Sequence, residues 1–529
     1  MTADIYLDCN ATTPVLPAAL AAAQQAMGAL FGNPSSTHTT GLQARQMVDG
    51  VRARAARVLG SGDGQVLFTS GATEGIQTAV LSALCAVRAR RAQGEDVGRL
   101  LLFGATEHKA VPESLAHWNT LLGLDLQLQP LPVDSSGRHD LAALRRLAPQ
   151  AALVCTMAAN NETGVVSDLP GIEAVLNQVA PNAYWLVDCV QALGKLPLQL
   201  AQTRIDYAPF SGHKLYAPKG IGLLYVRQGA PFTPLMAGGG QESGLRSGTE
   251  NMVGIAALGA VLQALEDGGS FCSHAEMLQF RERLAQSLRA AWPEIVFNAA
   301  FDTALPTTLN FSVPGLASGV IVDLLDAAGV RVSAGSACSA KKAAPSYVLQ
   351  AMQLPDWQAA SAVRMSFGAM ADAAFINAAC ERIARCGQAL RAAPPAASPT
   401  ESLTASLPEH LRCGPALPAD PAMHLQPAML ADFLRQHPEA LLVDVREAYE
   451  HRADYQPLRF GRRVLSVPLG SLGEQLADWL RQPAVPLVFF CRSGNRSLRA
   501  VHSLRQLGYA QAWQVVGGLA ANTIAADAD

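Results

Sequence analysis

SGHKLYAPKGIG, residues 211–222, sets one lysine, Lys214, between a short polar loop and a glycine-rich return. The chain has only six lysines against 34 arginines. A lysine here carries information, because arginine cannot be deprotonated and cannot form an imine. An amine that condenses with an aldehyde has to lose its proton near neutral pH, which burial and neighbouring positive charge can arrange. Lys214 is therefore a candidate Schiff-base residue, and a plain surface ammonium is the ordinary alternative. The segments on either side decide between the two.

Outward from this stretch, RLLLFG, LVCTM, YWLVD and GLLYV alternate with helical stretches between Leu100 and Val226. Such alternation predicts a mostly parallel sheet covered on both faces. Upstream, VLFTSGATEGIQTAV reads as a strand from Val66 to Thr69, a Ser-Gly turn and a helix beginning near Ala72. That joint aims backbone N–H groups and the Thr73 hydroxyl at one spot suited to a phosphate, though strand-turn-helix joints are common. Ligands of open α/β sheets bind at strand ends, and polar residues stand there: His108 in TEHKAV, Asn161 in ANNETG, and Asp188 and Gln191 in YWLVDCVQALGK. Taken singly, a buried Asp can cap a helix and a His can be a satisfied core residue. Taken with Lys214, they form the set that pyridoxal phosphate requires: a carboxylate for a pyridine nitrogen, an imidazole to stack on a ring, amides for a phenolate and an amine for an aldehyde.

Composition limits the remaining options. At 529 residues the chain predicts two or more domains, and half hydrophobic with 16% charged residues describes a globular chain. A net charge of −3 gives no electrostatic footprint for nucleic acid or an anionic membrane. The N-terminus MTADIYLD lacks a basic stretch followed by an apolar run, and no segment offers about 18 consecutive apolar residues, so a cytoplasmic protein is expected. Ten cysteines lie scattered without paired metal-ligand spacing, which fits reduced thiols and no metal.

The ordered motifs YLDCNATTP, GNPSSTH, FTSGATE, TEHKAV, NNETG, VDCVQ, SGHKLYAPKGIG, GGGQESGLRSGT and SAGSACS resemble those of cysteine desulfurases, fold-type-I enzymes that use pyridoxal phosphate. The resemblance covers roughly residues 5 to 390. It implies a large, mostly parallel sheet with a small C-terminal α/β subdomain. It also implies that Lys214 is the aldimine lysine, that Asp188 pairs with the pyridinium nitrogen and that His108 stacks on the ring. Asn161 and Gln191 would contact the ring oxygen, and Thr73, Ser211 and His213 would hold the phosphate. The family is a homodimer, in which Thr249 of RSGT would reach the partner's phosphate. Cys9 and Cys189 depart from the family's usual residues and are given no role.

Residue chemistry runs the same way. Once the substrate L-cysteine has displaced Lys214, the freed amine can remove the Cα proton, since a protonated pyridine drains the carbanion. A protein thiolate then takes the sulfur, leaving alanine and a persulfide. Cys338 is the expected nucleophile, in a small-residue stretch with Lys341 and Lys342 three and four residues on to favour a thiolate. In the family the cysteine of GSAC carries the persulfide; a buried structural cysteine is the commoner fate of the residue type. Arg364, in AVRMSFG, would clamp the substrate carboxylate with a bidentate pair.

Beyond residue 391 the composition turns Pro-, Ala- and Ser-rich, and residues 392–422 read as a linker spanning on the order of 30 Å as coil. Cys413 lies within it, as a relay thiol or an accident. Residues 423–529 read as a second, smaller α/β unit: LLVDVRE a strand, SLGEQLADWL a helix, PLVFFCRSGNRS a strand running into a loop and SLRAVHSLRQLGY the next helix. Backbone N–H groups around Cys491, with Gly494 in the loop and Arg492 and Arg496 nearby, would depress its pKa and stabilise a persulfide. CRSGNRS, with Asp444 in DVRE and the closing VVGGLAA, resembles a rhodanese domain. Cys491 and Arg496 are five apart, and by this resemblance the loop is one residue short of a phosphatase loop and sized for sulfur. The combined expectation is a relay, with sulfur taken from L-cysteine onto Cys338, passed to Cys491 and delivered to a sulfur-acceptor protein. The competitors are a pyridoxal-phosphate aminotransferase or decarboxylase with a structural Cys338, and a C-terminal domain that serves only for docking.

Overall fold

A computed structural model describes residues 4–335, 345–392, 423–454, 458–459, 461–481 and 485–525. Cys338, Lys341, Lys342, Cys413 and nearly all of the proposed linker lie outside the described residues.

The first unit is built on a seven-stranded sheet, ordered Gln65–Thr69, Gly222–Val226, Tyr207–Ser211, Tyr184–Asp188, Ala151–Met157, Leu100–Gly104 and Gln127–Leu131. Five neighbouring strands run parallel, and only Gly222–Val226 is antiparallel to both neighbours. The expected strands are present. Tyr207–Ser211 and the edge strand Gln127–Leu131 were not foreseen, the latter because Gln127, Gln129 and Pro130 interrupt its apolar run. All seven residues of Ala151–Met157 are buried, as a strand covered on both faces demands. One apolar cluster, with Leu101, Leu153 and Leu186, lies on one face; the other, with Leu102, Val154 and Trp185, continues into the rest of the unit.

The helix Ala72–Ala92 starts where the sequence placed it. Gly71, at φ 155° and ψ 178°, adopts backbone that is essentially glycine's own. A Cβ on Gly222 would come within 2.8 Å of the Gly71 Cα and 2.4 Å of the Phe210 carbonyl oxygen. Two glycines thus let three strand ends converge closely. A small subdomain follows, with a four-stranded antiparallel sheet ordered Ser333–Ala334, Val363–Ser366, Thr308–Ser312 and Val296–Phe297. The helices His274–Ala291 and Ala373–Arg391 pack with it.

The second unit is a six-stranded sheet ordered His424–Leu425, Ala512–Val515, Leu487–Phe490, Leu441–Asp444, Arg462–Ser466 and Leu458–Arg459, parallel except for the last pair. An apolar cluster lies on each face. Its helix Ala448–Ala453 rests on the first unit: Ala453 is fully buried in the first unit's core and Tyr449 packs beside it. Arg452 Nε donates to the Ala389 carbonyl at 3.2 Å.

Candidate active sites

Strand ends of the large sheet open into a cavity of about 540 Å³. Thr73, His108, Asn161, Asp188, Gln191, Ser211, His213, Lys214 and Arg364 all line it, although they come from positions up to 291 residues apart. Thr249 does not. It lines a neighbouring cavity, which shares Ser70 and Gly220 with the first. Sequence reading missed Asn10, Lys109, Lys219 and Tyr347, which also line the main cavity. YLDCN gave a signal for Asn10, but an asparagine in a polar loop is common; the others are visible only once the chain is folded.

Lys214 sits in a single 3-10 turn, Gly212–Lys214, after the strand Tyr207–Ser211. Its Nζ donates to the carbonyls of Asn10 and Ala11, each at 2.7 Å. Asp188 ends its strand and accepts the Val190 N–H at 2.9 Å. Burial pushes its carboxyl pKa up, against the pull of that N–H, His108 and Lys214. Burial lowers the His108 pKa, and Lys214 lowers it further while Asp188 opposes. His108 Nδ1 accepts the Ala110 N–H at 3.2 Å, so the neutral ring carries its proton on Nε2. His213 lies 3.2 Å from the Thr12 hydroxyl through Nδ1; burial, then Lys214 and Lys219, bring its pKa down to about 4.

Both ends of the Gln191 amide are engaged. Its Oε1 accepts from Lys195 Nζ at 2.6 Å and its Nε2 donates to the Asn10 carbonyl at 3.2 Å, leaving one N–H for a further acceptor. Lys195 itself is half-buried, and the loss of water around its amine brings its pKa to about 7. Arg364, 1% exposed, donates to Asp8 Oδ1 at 2.7 Å and to the Asn161 carbonyl at 3.0 Å. The side chain of Asn161 turns a buried Oδ1 to the site with no protein hydrogen bond.

The second site is local. Cys491, 1% exposed, follows the strand Leu487–Phe490 and receives the Gly494 N–H at 3.2 Å, with the Ser497 hydroxyl at 3.7 Å. Gly494 takes left-handed backbone, φ 91°, and starts the helix Asn495–Gln506. Leu519 and Ala520 N–H groups bond to the Cys491 and Arg492 carbonyls at 2.9 and 3.0 Å, so the GG stretch clamps the loop from behind. Asp444 holds Arg446 through paired bonds of 3.0 and 2.7 Å and serves the scaffold. The expected surroundings of the sulfur differ in one respect, since each loop arginine is paired with a carboxylate. Arg496 makes a bidentate pair with Glu450 at 2.5 and 2.9 Å, and Arg492 pairs with Asp323 of the first unit.

Residues 5–378 match the Aminotransferase class-V family and residues 427–523 the Rhodanese-like domain. These matches define the class: a class-V aminotransferase fold followed by a rhodanese-like domain. Within it the chain belongs to the cysteine desulfurase family, being 38% identical over 394 residues to a cysteine desulfurase of Cereibacter sphaeroides, across 74% of this chain and 97% of that protein. It is 36% identical to the cysteine desulfurase NifS of Azotobacter vinelandii, across 69% and 88%. Among solved structures, a NifS-like protein matches at a TM-score of 0.64 and 29% identity, covering 73% of this chain and 99% of that one. A NifS-like protein from Rickettsia africae matches at 0.58 and 27%, covering 72% and 98%. The fold is therefore that of the fold-type-I pyridoxal-phosphate transferases, and the family implies use of that cofactor. The cavity's donor set fits it: a lysine amine, a buried acid, a ring-sized imidazole and the unpaired Asn161 Oδ1 stand around one space.

Proposed function

We propose that the chain converts L-cysteine to L-alanine, places the sulfur on Cys338 as a persulfide, and passes it to Cys491 for delivery to an acceptor protein. The observation that carries the first half is the convergence of Lys214, Asp188, His108, Asn161 and Arg364 on one cavity. Pyridoxal phosphate, when bound, supplies an aldehyde for amine condensation and a ring that withdraws the electron pair left as Cα loses its proton. Lys214 provides the amine that holds the cofactor and later moves the Cα proton. Asp188 would pair with the ring nitrogen and hold a proton there, and its burial would make that contact strong once a cation faces it. His108 would stack on the ring, the Asn161 amide N–H and the remaining Gln191 N–H would donate to its oxygen, and Thr73, Ser211 and neutral His213 would hold the phosphate. Arg364 binds the substrate carboxylate in place of part of its contact with Asp8.

The transfer balances as a thiol exchange. The Cys491 thiolate attacks the outer sulfur of the Cys338 persulfide, the S–S bond breaks, and Cys338 leaves as a thiolate. Two sulfur-competent cysteines on one chain, with the second domain seated on the first, support this reading. A homodimer completes each cavity, with Thr249 serving the partner's phosphate from the adjoining cavity. We place the protein in the cytoplasm: no described helix is long and apolar enough to cross a membrane, and the eight described cysteines are free. Mass spectrometry of the cofactor-loaded protein after addition of L-cysteine tests the relay by mapping persulfide at both sites. The expected result is label on both, with label at Cys491 lost in Cys338→Ser. Label confined to Cys338 refutes the transfer.

A further inference from the structure

The two domains meet at the loop that carries Cys491. Of the two arginines there, Arg496 is held within its own domain by Glu450. Arg492 has no carboxylate partner in its own domain among the described residues. It reaches across instead to Asp323, with Asp326 Oδ2 3.9 Å from its Nε, both on the small-subdomain helix Ser318–Ala327. Asp326 is already engaged by Arg331 at 2.5 Å, which leaves Asp323 as the main acceptor. Beneath this ion pair runs an apolar seam, formed by Ala453 and Tyr449 against the first unit's core. The polar contact from Arg452 to Ala389 lies beside it.

We propose that the acidic end of the helix Ser318–Ala327 is a docking site for the active loop of the chain's own rhodanese-like domain, with Asp323 and Arg492 as its latch. Closed, the latch holds the Cys491 loop against the desulfurase unit and neutralises the one loop cation able to attract anions from solution. Open, it frees Arg492 to recruit an anionic partner or acceptor to Cys491. The apolar seam gives the contact area, and the ion pair gives it register and sensitivity to salt, because both side chains are about one-third exposed and screened by ions. The inference rests on the proposed role of Cys491 only for its meaning. The contact itself requires no sulfur transfer.

The test uses the full-length, cofactor-loaded protein and reads docking in two ways. X-ray scattering reports how far apart the domains lie. Peptide mass spectrometry reports how fast Cys491 is alkylated by anionic iodoacetate relative to neutral iodoacetamide. Asp323→Lys is expected to enlarge the radius of gyration and to raise the iodoacetate-to-iodoacetamide ratio severalfold, and adding Arg492→Glu to it is expected to restore the compact form. High salt acting on the unsubstituted chain is expected to move the scattering in the same direction, which keeps the test valid if Asp323→Lys folds poorly. Scattering from an extended chain at low salt, or an unchanged radius and ratio in a folded Asp323→Lys protein, overturns the latch. Neither readout involves persulfide, so loss of Cys338-to-Cys491 transfer with docking intact would count against the relay alone.

Discussion

The two candidate sites of this chain are built in opposite ways. The first gathers side chains from Asn10 to Arg364 around an open cavity and leaves some of their polar atoms unpaired, Asn161 Oδ1 and Arg364 Nε among them. The second is one continuous turn, Cys491 to Ser497, whose sulfur is enclosed and whose arginines are already paired. A site made from strand ends is complete only when a further group fills it. A site made from backbone N–H groups is complete when the turn closes. The first should therefore fail through loss of single side chains and the second through distortion of its backbone.

The largest expected effect follows from that contrast. Lys214→Ala should reduce alanine formation from L-cysteine by about 10³-fold or more, since on the proposed reading it removes both the amine that would hold the cofactor and the proton carrier. Its second domain should unfold at the unchanged denaturant concentration. Alanine release and a urea titration, followed side by side, measure the two. Residual activity near the parent level would show that the cavity is not the site of chemistry.

Gly518→Ala probes the other mode. At Gly518, φ is 61°, and a Cβ would lie 2.2 Å from the Cys491 carbonyl oxygen and 2.8 Å from the Gly494 nitrogen. Backbone atoms cannot give way as a flexible side chain can, so the second domain should lose roughly 2–3 kcal/mol. Alanine formation by the first should persist. Urea unfolding of the variant, monitored at Trp513 in the second domain, reads this directly, and an unshifted transition would deny that the GG stretch clamps the loop.

A smaller effect separates geometry from charge within the first site. Arg364→Lys keeps the cation but loses the planar fork, so kcat/KM for L-cysteine should drop by about 10- to 100-fold, mainly through KM. Steady-state alanine kinetics decide it. A kcat loss at unchanged KM would move Arg364 from substrate binding to scaffolding, where its contacts with Asp8 and Asn161 already give it a part.

How far each site could be read from the sequence follows the same division. The turn at Cys491 is contiguous, so CRSGNRS exposed the sulfur, the glycine and both arginines together. Its strand began one residue after the expected place, and its helix began two residues before and ended three residues before the expected places. The cavity was legible only as separate polar residues at strand ends, each with an innocent explanation, until the order of the motifs linked them. What escaped was of two kinds. Lys195 closes the stretch YWLVDCVQALGK, four residues after Gln191, but nothing in that spacing marked it as the partner that holds the Gln191 amide. Asp323 gave no signal at all, because its partner lies 169 residues away in another domain. The edge strand Gln127–Leu131 was lost to its glutamines and proline, which tertiary pairing overrode.

The smallest effect concerns the second domain's acid limb, and its sign follows from Asp444. Burial alone would raise this carboxyl's pKa, but hydrogen bonds from His451 and Arg446 outweigh it and lower the value from 3.8 to about 2. In the unfolded chain the group returns to its ordinary value and binds a proton more readily. The ionised form thus stabilises the fold fully above about pH 4, and that contribution, about 2 kcal/mol, is lost as pH falls through the folded value near 2. Urea unfolding of the second domain at a series of pH values should show stability falling across that window. Asp444→Asn should flatten the fall while lowering the plateau, since Arg446 then keeps Asp454, at 2.6 Å, as its remaining carboxylate. An acid limb that Asp444→Asn leaves unchanged would mean that the scaffold beneath the Cys491 turn draws its pH dependence from elsewhere. The second site would then be less self-contained than its hydrogen bonds imply.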